Sequence, residues 1–191
     1  PVDFWNNVRK ELDTIKPVFM LAEWESRDLH AEAFDMTYAW SWNEYMHAIA
    51  MGKANVSSLY KYYSWNESAF PESSFRMTFV SNHDKNAWDG TMFEQFGDAL
   101  DAAIVLSVVG EGMPLIYNGQ EAGNPKRLEF FEKDPIEWQD HYIGKLYKDL
   151  FALLKQNTAL WHAEWGATMI RIPNNNELEI LSFVRENEDD K

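Results

Sequence analysis

FRMTFVSNHD, residues 75–84, passes from apolar to polar without a helical period. Phe75 to Val80 is rich in aromatic and β-branched side chains and reads as a strand buried on both faces. It then stops at Asn82, His83 and Asp84. Two titratable side chains at the end of a buried strand sit where a core meets solvent or a ligand.

The pattern recurs on both sides. KPVFMLAEW (16–24) follows a helix that Pro17 stops, and ends in Ala22-Glu23-Trp24. MPLIYNGQE (113–121) ends in Asn118-Gly119-Gln120-Glu121. AFDMTYAW (33–40) is a shorter run with an ambiguous strand pattern. Helical spacing appears between these runs. Phe4, Trp5, Val8, Leu12 and Ile15 share one face of a first helix, and residues 41–52 and 56–65 read as two more. Residues 91–110 read as one long helix carrying Phe93, Phe96, Leu100, Ala103, Ile104 and Val108, with Gly110 at its end. Residues 141–157 form the last helix. The intervening 122–140 is irregular and long enough to be a functional loop. Strands alternating with helices predict an α/β fold with a parallel sheet and helices packed outside it. From residue 167 the pattern becomes strand, Asn-rich turn, strand, the signature of a hairpin. The predicted organisation is therefore an α/β unit over 1–162 and the start of an antiparallel β domain over 163–191.

Composition narrows the function. The chain carries 17 basic and 31 acidic residues, a net charge of −14, so phosphate backbones are repelled and nucleic acid is excluded as a partner. There is no basic amphipathic stripe for a membrane surface and no apolar run of spanning length. With no cysteine, disulfides and thiol chemistry are excluded, while the compartment stays open. Nine Trp among 191 residues supply core packing or stacking surfaces for sugars.

In a β/α barrel, side chains at the carboxyl ends of the strands line the active site. Glu23 and Asp84 then face one cleft from two parallel strands. Such a pair suits glycosidic bond hydrolysis, one acid protonating the leaving oxygen and the other charge steadying an oxocarbenium-like centre. The same residues also suit plainer roles: Asp84 as a cap of the following turn, Glu23 as the partner of an arginine.

Three stretches resemble motifs of the α-amylase family. FVSNHD (79–84) is similar to its penultimate-strand motif, MLAEW (20–24) to its acid/base strand, and GMPLIYNGQEAG (112–123) to its last barrel strand. They occur in the family's order. The resemblance implies that residues 1–162 are the C-terminal half of a (β/α)8 TIM barrel and that the hairpin opens a β-sandwich domain. It implies Glu23 as general acid/base and Asp84 as the carboxylate that binds sugar hydroxyls and stabilises the transition state. His83 would hydrogen-bond the sugar, and Trp24 would lie beside the leaving-group subsite. Trp88 and Tyr117 take no role from it, and Glu121 is expected to support the barrel.

The family's nucleophile, an Asp on the fourth barrel strand, has no counterpart here; VRKELD (8–13) lies in a helical pattern. The expected parent is a retaining α-glycosidase or transglycosylase acting on α-glucans, with the nucleophile upstream of residue 1 and this piece alone inactive. The alternative is a catalytically inactive carbohydrate-binding or scaffold relative. No metal or cofactor is expected to be required by these residues, although calcium is possible in the longer parent. Unpaired strand edges lead to an expectation of self-association.

Overall fold

The computed structural model describes residues 1–190. Helix α1 (Val2–Ile15) leads into β1 (Leu21–Ala22), β2 (Met36–Tyr38), β3 (Phe75–Phe79) and β4 (Met113–Leu115). The four strands form one sheet in sequential order, every neighbour parallel. The ladder aligns Ala22 with Thr37, Tyr38 with Met77, and Phe79 with Leu115, so the strand ends emerge on one side.

Helices α2 (Trp40–Ala50) and α3 (Ser57–Ala69) connect β2 to β3. Helices α4 (Met92–Phe96) and α5 (Leu100–Val109) connect β3 to β4, and α6 (Tyr142–Gln156) follows β4. The predicted helix over 91–110 is thus two helices. Gly97, with φ of 48°, breaks it, and Thr91 starts it with a capping box shared with Glu94. Between β1 and β2 the connection is only a 3-10 turn, Arg27–His30.

Each strand face has its own core. Trp42, Leu59, Tyr62, Phe96, Ile104 and Ile143 are buried in the helical layer on one face. On the other, Met36, Tyr38, Phe75, Met77 and Phe79 pack together against Trp40, Met113, Leu115 and Ala163. Residues that alternate with these point to the helices: Thr78 donates to Ser107 O at 2.8 Å, and Arg76 donates to Asn66 on α3 at 3.1 Å. The inner face of β2 and β3 is therefore covered within the chain. What stays open lies at the β1 flank, where Leu21 is 43% and Phe19 55% exposed.

Strands β5 (Ile170–Arg171) and β6 (Phe183–Val184) pair antiparallel as a hairpin ladder. Arg185, just beyond, is buried and donates to the carbonyls of Ala167, Gly110 and Trp161 at 2.7, 2.8 and 2.7 Å. One guanidinium, bonding carbonyls through all three of its nitrogens, thus pins the hairpin to the end of α5 and to the segment after α6.

Candidate active site

The turn after β3 is built by two asparagines. Asn43 on α2 donates to the carbonyls of Phe79 and Val80 at 3.0 and 3.1 Å, completing the strand's last hydrogen bonds. Asn82 is fully buried, and its side-chain oxygen accepts from Lys85 N at 2.7 Å, starting a π-type turn over Lys85–Asp89. With Asn82 inside and the chain turning at once, His83 and Asp84 face outward. The polar end of that strand thus divides its labour between a buried turn-former and two half-buried titratable groups.

Glu23 meets them there from one residue beyond β1. His83 Nε2 lies 3.1 Å from Glu23 Oε1 and 3.8 Å from Asp84 Oδ1. Donor atoms of the three side chains all fall within 4.8 Å of one another. The side chains of Glu23, His83 and Asp84 are 50%, 41% and 42% exposed, so the group is an open cluster. Trp24, next in the chain to Glu23, is 67% exposed.

Glu25, two residues past Glu23, fixes this loop. Its carboxylate accepts from Ser41 N and Oγ at 2.9 and 2.6 Å at the start of α2, and pairs with the buried Arg76 of β3. Glu121 accepts from Gly119 N at 3.1 Å, holding its own turn after β4.

The reading of strand ends from their polar residues passed over β2, which ends in aromatics. Tyr38 stacks on Trp40 at 5.2 Å and meets Phe79 edge-on at 5.5 Å. Burial, then the negative charges of Glu23 and Asp84, push the Tyr38 hydroxyl above its ordinary range. The signal was present in TYAW (37–40), where the apolar run ends in two large rings flanking an alanine. Phe130, in the long loop, lies 5.7 Å from the His83 ring and had no sequence signal beyond the loop's length.

Among the described residues, Glu23, His83 and Asp84 are the one cluster of three or more His, Asp or Glu whose donor atoms converge enough to hold a cation. Two carboxylates and an imidazole do not fit calcium, which takes six to eight oxygen ligands.

A parallel sheet whose strand ends gather two carboxylates and a histidine has the layout of a β/α-barrel rim, where strand-end side chains face one cleft. The model of the alpha-amylase catalytic domain matches residues 2–165, and the chain belongs to this family. Its sheet and helices are the C-terminal half of a (β/α)8 barrel. Among solved structures it is similar to a maltogenic alpha-amylase from Thermotoga neapolitana, with TM-score 0.82 and 24% identity over 96% of this chain and 42% of that one. A hydrolase from Arthrobacter globiformis, in complex with cyclic α-maltosyl-(1→6)-maltose, gives TM-score 0.78 and 15% identity over 99% and 44%. An alpha-amylase from Geobacillus thermoleovorans, complexed with acarbose, gives 0.73 and 17% over 99% and 44%. At these identities the likeness is one of fold, and the chain spans less than half the length of each. No curated protein matches it.

Proposed function

We propose that these residues serve a retaining α-glycosidase or transglycosylase acting on α-glucans, as part of a longer protein whose upstream half supplies the nucleophile. The observation that carries the reading is the convergence of Glu23, His83 and Asp84 within 4.8 Å at the strand ends of an alpha-amylase family sheet. The cyclic α-maltosyl-(1→6)-maltose and the acarbose named with the two fold neighbours support the substrate class.

In the first half-reaction the upstream carboxylate attacks the anomeric carbon, and Glu23 gives its proton to the departing glycosidic oxygen. In the second, the ionised Glu23 takes a proton from water or from an acceptor sugar, which attacks the same carbon and releases the nucleophile. Asp84 binds sugar hydroxyls and balances positive charge at the oxocarbenium-like centre. His83, between the two carboxylates, donates a hydrogen bond to the sugar. Trp24 borders the leaving-group side. No step needs a metal from this chain.

The test is hydrolysis of maltooligosaccharides by the full-length protein, with the fresh reducing end followed by proton NMR. The α-anomer forms first if the reading is right. An initial β-anomer, or no turnover of any α-glucan, overturns it.

A further inference from the structure

We infer that Trp88 and Phe130, with Phe131 at their outer edge, form a stacking shelf for a second glucosyl ring next to the one held at Glu23, His83 and Asp84. The inference rests on the α-glucan reading above.

Phe130 gathers three other rings around it at the edge of the site. His83 lies 5.7 Å from Phe130, Phe130 lies 5.3 Å from Trp88, and Phe130 meets Phe131 edge-on at 4.8 Å. Trp88 is 60% exposed, Phe130 39% and Phe131 83%. A single exposed aromatic is ordinary, but a contiguous patch that begins at a candidate sugar-binding histidine marks a binding surface. The patch is uncharged, as the C–H face of a pyranose is, and the ring faces at Phe130 and Trp88 are tilted by only 36°. A neutral glucan also approaches a chain of net charge −14 without electrostatic cost.

The shelf is built by the fold. Trp88 sits on the turn at 85–89 and Phe130 on the loop after β4, and the buried Asn86 stitches the two together. Its Oδ1 accepts from Leu128 N at 2.7 Å, and its Nδ2 donates to Lys126 O at 3.3 Å. Asp134 closes the loop on itself, pairing with Lys126 Nζ at 2.5 Å and accepting from Glu129 N at 3.1 Å. Arg127 pairs with Glu94 at 3.1 Å on the far side. The loop therefore presents Phe130 in a fixed place, so little ordering remains to be done when sugar binds.

Binding is measured by calorimetry in the full-length protein carrying Glu23→Gln, with maltose through maltoheptaose as probes. Aromatic stacking of about 0.5–1.5 kcal/mol corresponds to a roughly 2- to 12-fold change in Kd. Trp88→Ala and Phe130→Ala each weaken the longer oligosaccharides by that factor and flatten the gain in affinity with chain length. Trp88→Phe and Phe130→Trp keep the gain. Unchanged Kd for maltoheptaose in folded Trp88→Ala and Phe130→Ala proteins overturns the shelf while Glu23's role stands. Full activity of Glu23→Gln beside weakened Trp88→Ala binding leaves the shelf and removes the catalytic reading. Absence of maltooligosaccharide binding by the Glu23→Gln parent overturns both.

Discussion

Replacing Arg76 with Met removes the cation from the most enclosed ion pair of the chain's sheet. The Arg76 side chain is 2% exposed and that of its partner Glu25 12%. The guanidinium also donates to Asn66 Oδ1 at 3.1 Å and lies 3.7 Å over the Phe70 ring. Met fills most of the volume and keeps contact with Phe70, so packing changes little. What changes is electrostatic. Glu25 keeps its two hydrogen bonds from Ser41 but loses its counter-charge in a water-poor site. Breaking a buried pair on one side costs about 3–5 kcal/mol, because the remaining charge is uncompensated. That is about a fifth or more of a typical total of about 5–15 kcal/mol. Changing Glu25 to Gln in the same protein removes the stranded charge while an amide oxygen still accepts from Ser41. The double variant Arg76→Met/Glu25→Gln should therefore regain about 2 kcal/mol or more over Arg76→Met alone. Urea denaturation of the parent, both single variants and the double variant closes the cycle. A loss below about 1 kcal/mol for Arg76→Met, or a double variant no more stable than that single one, would refute the reasoning.

Two further outcomes follow from the same structure. His30 is held at about 4, down from 6.5, by burial first and then by the charge of Arg76, and burial lowers His162 and His47 too. The unfolded chain binds those protons near 6.5 while the fold refuses them, so stability is complete above that pH and falls as pH drops toward about 4; His30→Gln should make the fall in Tm between pH 7 and 4 shallower, and an unchanged slope contradicts the assignment. The 191-residue chain alone should self-associate through the outer edges of β1 and β4, which have no neighbour in the four-stranded sheet; light scattering across a dilution series that shows only monomer at micromolar concentration rules this out.

The sheet was legible where a short run rich in apolar and β-branched residues stands between helical periods. Phe75–Phe79 lies where the pattern put it because both its faces are covered, one by helices and one by Tyr38, Trp40 and Met113. KPVFMLAEW was read at greater length than it pairs, since only Leu21–Ala22 has a ladder partner and that on one side alone. The break at Gly97 was hidden because Phe96 and Leu100 bury into the same core on either side of it, so the apolar spacing runs through the kink. Glu23, His83 and Asp84 could be picked out as polar residues closing apolar runs, a feature of sequence. Phe130 could not, because its position depends on Asn86 holding a loop through side-chain to backbone hydrogen bonds, which leave no periodic trace. Glu25 was equally silent. Its anchor, Arg76, lies 51 residues away in the chain.

The central claim is that Glu23 moves the proton in glycosidic bond cleavage. Its most direct test is kcat of the full-length protein on a maltooligosaccharide before and after Glu23→Gln. The amide keeps the size and the contact to His83 Nε2 but cannot donate an acidic proton. The account predicts a fall of roughly 10²- to 10⁴-fold in kcat, the share that a positioned general acid contributes. A Glu23→Gln enzyme within a few-fold of the parent would contradict it.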